Sequence, residues 1–389
     1  DLQNTPMKLN KSFFLFLIFL LPVSDLILHL SDFPFTLQSN YSDLVITHYP
    51  NALFLLNSLK KFGQIPLWSN AILSGYPFIA NPLAGIWYPF GWLALLFPLP
   101  AGFNILTAVH LVWSALGMYL LLKRMKLDDF PSIAGALIFE SLPRIWAHSA
   151  AGHLTFVYAF CWTPWLLWSE ISMRARVRWF PGIVLGLITL ADVRWAAYAG
   201  LLWLAFRLSR YRALNYSTPQ QKMAWIFESI LQPVIGIALA TPLLVPLAEY
   251  TAASTRRGLS SIDSLVFSMQ PSQLLGLLFP DITGYVEWVL YPGAVCIVAF
   301  LWAWLDKDLR QKTHFVRWGI IVTALLSLGN YFSPAGWFLS LPGLNMLRVP
   351  PRFMLAGGFL FCLLAAIWLN HLIQNLMRNS NYYRAIRLG

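Results

Sequence analysis

The sequence predicts an all-α polytopic integral membrane protein, with about ten transmembrane helices and a large first extracytoplasmic loop carrying interfacial helices. Three observations predict it. Of 389 residues, 58% are hydrophobic and only 11% are charged, whereas a soluble domain carries roughly 25% charged residues. The apolar residues come in runs near the roughly 20 residues a span requires. Lys and Arg gather in short clusters between those runs, the pattern that sets orientation in a membrane. The formal net charge of +11 is therefore assigned to topology, and nucleic acid is not an expected partner.

Taken in order, Lys8 and Lys11 place the N-terminus inside. Residues 12–30 form the first span, read as uncleaved because the run is too long for a signal-peptide core and no small-residue cleavage site follows. The first external loop covers 31–100. Its stretch 41–88 carries Asp43, His48, Lys60, Lys61 and aromatics such as Trp68, Tyr76 and Trp87. It is too polar to cross a bilayer and too aromatic for a solvated linker, so it lies on the membrane. Residues 86–99, broken by Pro89 and Pro98, read as interfacial or re-entrant.

Span two, 103–122, returns to the inside cluster Lys123, Arg124 and Lys126. Spans three and four, 131–147 and 153–169, go out and back to Arg174, Arg176 and Arg178. Spans five and six are a short pair, 180–191 and 195–206, pivoting at Asp192-Val193-Arg194. A single helix there would put two basic clusters on opposite sides. Span seven, 223–247, leads to a second external loop, 249–285. Span eight, 286–304, ends at Lys307, Arg310 and Lys312, and span nine, 315–328, opens a third external loop, 329–352. Span ten, 353–373, returns to a basic tail, so both termini are cytoplasmic. The whole chain, 1–389, reads as one transmembrane domain without an internal repeat.

Charges within or beside spans usually face a cavity or a partner, because one at mid-membrane costs about 2.5–3.5 kcal/mol on insertion scales. On the outer side Asp43, His48, Glu140, Arg144, His148, His153, Asp192, Arg194, Glu249, Arg256, Arg257, Asp281, Glu287, Arg348 and Arg352 suggest one polar chamber. Asp43 is the candidate general base, with His48 five residues on, read either as its neighbour or as a histidine bonding a loop carbonyl. Arg348-Val349-Pro350-Pro351-Arg352 sets two guanidiniums on a segment expected to be stiff and extended. Paired planar cations suit a phosphate or diphosphate, or a lipid headgroup. Arg256, beside Arg257, has the same two readings. Asp192 and Arg194 either pair with each other or line the chamber.

His148 and His153 stand five apart, off the spacing of a helical zinc pair, and read as polar loop residues. No metal-ligand set and no cofactor is assigned, with a divalent metal left open. Cys161, Cys296 and Cys362 sit in apolar runs as packing residues. No P-loop, GxGxxG or GxSxG pattern occurs, so nucleotide-fuelled and serine-hydrolase chemistry has no support.

An ordered set of short motifs adds to this reading. Asp43 precedes Tyr49-Pro50, Gly63-Gln64-Ile65-Pro66-Leu67-Trp68, Gly75-Tyr76-Pro77 and Trp87-Tyr88-Pro89. Further on come Gly152-His153, Trp162-Thr163-Pro164-Trp165, a Pro246 to Glu249 segment, Ser254-Thr255-Arg256, Tyr291-Pro292-Gly293 and Leu347 to Phe353. Over most of the chain this order resembles GT-C membrane glycosyltransferases, most closely the YfhO-like branch. The resemblance implies an enzyme of the bacterial plasma (inner) membrane, a lipid-linked-sugar-dependent hexosyltransferase of the cell envelope. It would use a polyprenyl-phosphate sugar donor, with a glycan, lipid or protein acceptor and membrane lipid around it.

Asp43 would activate the acceptor. An Arg of a later loop, Arg348 or Arg352, would steady the lipid phosphate, with Arg256, His48, His153 and Asp192 as further binding residues. Relatives run on past the tenth span and carry a His-rich turn where this chain has Asp192-Val193-Arg194. The alternatives are a non-catalytic GT-C-like subunit of a membrane complex, with partner subunits, and a transporter or flippase for a lipid-linked glycan.

Overall fold

The computed structural model describes residues 11–32, 42–72, 74–172, 178–211, 218–258, 263, 265–280, 285–341 and 343–379. Among these the chain is all-helical, with no strand beyond an isolated bridge between Ser69 and Tyr76. The principal helices, in chain order, are α1 (Lys11–Leu20), α2 (Ser24–Leu28), α3 (Tyr49–Phe62), α4 (Ala101–Arg124), α5 (Asp129–Glu140), α6 (Pro143–Ala150), α7 (Leu154–Cys161) and α8 (Thr163–Ser172). They continue as α9 (Phe180–Ala191), α10 (Val193–Tyr211), α11 (Pro219–Ala252), α12 (Ala294–Leu305), α13 (Lys307–Lys312), α14 (His314–Ser327), α15 (Ser333–Leu339) and α16 (Phe353–Asn379).

Among the described residues, three helices are long and apolar enough to cross a membrane: α4, α11, and α16 taken with the turn before it. Helices α9, α12 and α14 are apolar but shorter. Expected span six lies within one continuous helix, α10, and the other expected spans are interrupted. Pro22 and Pro143 stand at breaks, where the missing N–H and the ring clash stop a helix. The run 12–30 thus divides into α1 and α2, and 131–147 into α5 and α6. Span four divides into α7 and α8 around Trp162, just ahead of Pro164. Span eight begins late: Val286–Trp288 is a 3-10 turn, and the α-helix starts only at Ala294.

The helices share one large apolar core that runs from Leu15 to Trp368. Helix α11 is 34 residues long and starts on a capping box between Thr218 and Gln221. It packs on α9 through small residues: a Cβ at Gly186 would stand 2.6 Å from Leu239, and one at Gly182 would stand 2.8 Å from the Gln232 carbonyl. Helix α9 stops at Asp192, whose extended backbone breaks the helix, and α10 starts at once. This hairpin carries Asp192 and Arg194 at its turn. The first loop lies against the far end of α11, where Trp68, Tyr76 and Pro77 share a hollow with Pro246, Glu249 and Tyr250.

Candidate functional site

Five segments meet around Glu287. Helix α6 begins with Pro143 at its first turn, a position that suits proline. It holds Arg144 and His148 four residues apart, hence on one face. The turn after α6 carries His153. The α9–α10 turn carries Asp192 and Arg194. The 3-10 turn Val286–Trp288 supplies Glu287, and the 3-10 turn Pro350–Arg352 supplies Arg352 at the head of α16.

Asp43 comes from a sixth segment, just before the π-helical turn Leu44–His48. The Asp43 N–H donates to the Ala151 carbonyl at 3.0 Å. Gly152 makes this approach feasible. Its φ is +78°, and a Cβ there would lie 2.2 Å from the Leu44 nitrogen and 2.9 Å from that of Asp43.

The side chains then form a continuous row. Asp43 Oδ2 lies 3.5 Å from His153 Nε2. His153 Nδ1 and His148 Nδ1 are 2.8 Å apart, one donating and the other accepting. His148 Nε2 stands 3.7 Å from Glu287 Oε2. The Arg352 guanidinium donates to Glu287 Oε1 from Nη2 at 2.6 Å and from Nε at 3.0 Å. Exposure falls along the row: the Asp43 side chain is 38% exposed, that of His153 17% and that of Glu287 3%.

Arg144 organises the buried end. Its two terminal nitrogens donate to the carbonyls of Val289, Glu287 and Pro351 at 3.0, 2.9 and 2.8 Å. One guanidinium thereby ties α6 to both 3-10 turns. Burial alone would push the Glu287 carboxyl up, but the Arg352 and Arg144 guanidiniums hold it down, so it is an anion. Phe156 of α7 lies beneath two of the cations, 5.0 Å from the Arg352 guanidinium and 5.5 Å from that of Arg194.

The expected stiff extended segment Arg348–Arg352 is corrected by the structure. Residues Pro350–Arg352 form a 3-10 turn, and Val349 takes a left-handed conformation with φ +68°. Such a conformation costs a branched residue on the order of 1–3 kcal/mol. The grip of Arg144 on the Pro351 carbonyl and of Glu287 on Arg352 sustains it. The Tyr198 hydroxyl donates to the Arg348 carbonyl at 3.3 Å. The half-buried Arg348 guanidinium has no partner among the described residues.

The other expected site residues divide. Asp192 pairs with Arg194 at 2.6 Å and accepts from the Thr155 hydroxyl at 2.9 Å. Burial would raise its carboxyl, but Arg194 and these hydrogen bonds lower it. Of the two readings left open, mutual pairing is the one observed. His48 is buried, and its Nδ1 lies 3.1 Å from the Leu83 carbonyl. Burial brings its pKa down to about 4, so it is neutral at pH 7. The Arg256 side chain lies outside the described residues. The reading of His148 and His153 as polar loop residues is corrected for His148, which is a buried helix residue. A lone acid in the run Tyr285-Val286-Glu287-Trp288-Val289-Leu290 was the available sign of Glu287.

Two hollows lie on the first-loop side of the molecule, and none of the row's residues lines either of them. A narrow one of about 50 Å³ is lined by His48, Leu83, Tyr88, Thr155 and Tyr158. Tyr88 then bonds His110 at 2.6 Å and accepts from the Trp162 indole at 2.8 Å. His110 and Trp162 in turn border an almost wholly apolar groove of about 560 Å³, walled by α1, α2, α4 and Phe90.

The comparisons with known proteins add no family: no protein-family model, no curated protein and no solved structure matches this chain.

Proposed function

We propose that this chain is a membrane-embedded transferase that moves a sugar from a polyprenyl-phosphate carrier to an acceptor hydroxyl at the extracytoplasmic face, with inversion. In this reading the shorter and broken helices complete about ten crossings, both termini are cytoplasmic, and the membrane is a bacterial plasma membrane. The observation that carries the proposal is the unbroken row from the half-open carboxylate of Asp43 to the guanidinium of Arg352. The apolar groove bordered by His110 and Trp162 suits an isoprenoid chain.

The chemistry needs one base and a stabilised leaving group. Asp43 takes the acceptor proton as the acceptor oxygen forms its bond to the anomeric carbon. The bond from that carbon to the phosphate oxygen breaks, and the electron pair leaves with the lipid phosphate. His153 orients one Asp43 oxygen and leaves the other for the acceptor. Arg348, half-buried and without a partner among the described residues, receives the phosphate, with Arg352 four residues on. No second carboxylate nucleophile is required, because the displacement is single.

A second reading has its own support. Arg352 and Arg194 are already neutralised by Glu287 and Asp192, as befits a structural subunit of a larger membrane complex. Purified chain in lipid nanodiscs, given a polyprenyl-phosphate hexose and an acceptor, separates the two. Product from the wild type and none from Asp43→Asn supports the transferase. Equal product from both removes Asp43 from the mechanism. Stoichiometric co-purification of partner subunits, without product, favours the structural reading.

A further inference from the structure

Two neutral imidazoles carry two N–H protons, but the row from Asp43 through His153 and His148 to Glu287 has three gaps. One proton bridges the two Nδ1 atoms at 2.8 Å. If the other sits on His153 Nε2, facing Asp43, then His148 Nε2 is a bare lone pair. That lone pair faces Glu287 Oε2 at 3.7 Å. Both atoms are buried, and neither has a hydrogen-bond partner. Two acceptors turned toward each other in a dry interior repel unless a cation joins them.

The surroundings leave that position open. Arg352 binds the other oxygen of Glu287, Oε1. Arg144 approaches Oε2 only to 3.8 Å, and its terminal nitrogens are committed to three carbonyls. His148, His153 and Glu287 each offer a ligand atom, and the three atoms lie within 4.8 Å of one another. Around a tetrahedral ion with bonds of about 2.0–2.1 Å, ligand atoms stand roughly 3.4 Å apart. The 3.7 Å gap is therefore close to that spacing before any ion has drawn the ligands in.

We infer that His148, His153 and Glu287 form a binding site for one divalent transition-metal ion of the zinc class, with Asp43 as the outer carboxylate that holds His153. Histidine ligands commonly give their second nitrogen to such a carboxylate, which fixes the ring and its tautomer. With its Nε2 on Asp43, His153 meets the ion through Nδ1, which exchanges its hydrogen bond from His148 for the ion. Two imidazoles and one carboxylate leave a fourth position for water or an anionic oxygen. Fixed charge around the site balances, with Arg144, Arg194 and Arg352 against Asp43, Asp192 and Glu287. A dication thus adds two positive charges, and an anionic ligand at the fourth position compensates them.

The test uses full-length protein in detergent, purified without a histidine tag, stripped with chelator and then given Zn²⁺ or Co²⁺. It requires no sugar donor, so it is decided separately from the transferase reading. The expected result is about one retained ion per chain after buffer exchange, a visible Co²⁺ spectrum of tetrahedral type, and a higher melting temperature with Zn²⁺. His148→Gln and Glu287→Gln should abolish all three. His153→Gln lies nearer the surface and serves if those variants fail to fold. Asp43→Asn should weaken Zn²⁺ affinity by roughly 10–100-fold, as loss of an outer carboxylate does. His29→Gln, an exposed histidine elsewhere, should change nothing. No retained ion in the wild type, or equal retention in His153→Gln, would overturn the proposal.

Discussion

The two ends of α10 carry buried ion-pair clusters of opposite character. At one end Arg207 is fully committed. It donates to Glu170 at 2.6 Å, to Ser229 at 2.7 Å, to the Trp225 carbonyl at 3.1 Å and to Glu228 at 3.3 Å. The Trp203 indole takes the other Glu170 oxygen at 2.9 Å. At the other end the row from Asp43 to Arg352 leaves His148 Nε2, Glu287 Oε2 and Arg144 Nε without partners. It also opens to the outside at Asp43. A saturated cluster clamps α8, α10 and α11 together. A buried cluster that stays unsatisfied costs free energy, and a ligand is what would recover it. The difference fits a structural role for the first and, in the proposed reading, a chemical one for the second.

Substitutions should separate the two ends, and the largest expected effect is on stability at the saturated one. Arg207→Ala strands Glu170 in the interior and should cost about 3–5 kcal/mol, read as a large drop in melting temperature or in folded yield. Next comes a pH effect near the open end. His48 has its folded pKa near 4, below its free value of 6.5. The unfolded chain therefore binds the extra proton between those values. Stability from this group is complete above about pH 6.5 and is lost as pH falls toward 4, by up to about 3 kcal/mol. Melting curves across that window should show the slope, and His48→Gln should flatten it.

Smaller effects sharpen the site itself. Arg352→Lys keeps the charge but loses the planar fork on Glu287. A change of roughly 1.5–3 kcal/mol for a charged hydrogen bond corresponds to a transfer rate about 10–100-fold lower, measured in nanodiscs. Gly152→Ala forces the turn off Leu44 and strains a positive φ. It should cost at least about 1–3 kcal/mol in melting and lower transfer disproportionately, because Asp43 loses its register on His153.

The sequence made some of this readable. The α9–α10 hairpin followed from two basic clusters that had to share a side, and the break at Asp192 agrees to the residue. Asp43 and Arg352 stood out as charges at the borders of apolar runs. Glu287 and Arg144 count among the outer charges expected to share a chamber, but their meeting is not legible, because it spans 143 residues of chain and periodicity carries no information at that range. His148 was weighed against His153 by spacing along the chain, when its relevant neighbour was Arg144, one helical turn back. The broken spans were hidden for a related reason. Hydropathy sums over a run and ignores a single proline that ends the helix inside it.

One paired measurement tests the account most directly: transfer rate and melting temperature on the same preparations of Asp43→Asn and Arg207→Ala. The account predicts that Asp43→Asn loses at least about 100-fold in transfer, the lower bound for a general base, with melting nearly unchanged. Arg207→Ala should melt far lower, yet transfer normally per folded molecule. Transfer that survives in Asp43→Asn, or that falls in both variants only as the folded fraction falls, would contradict it.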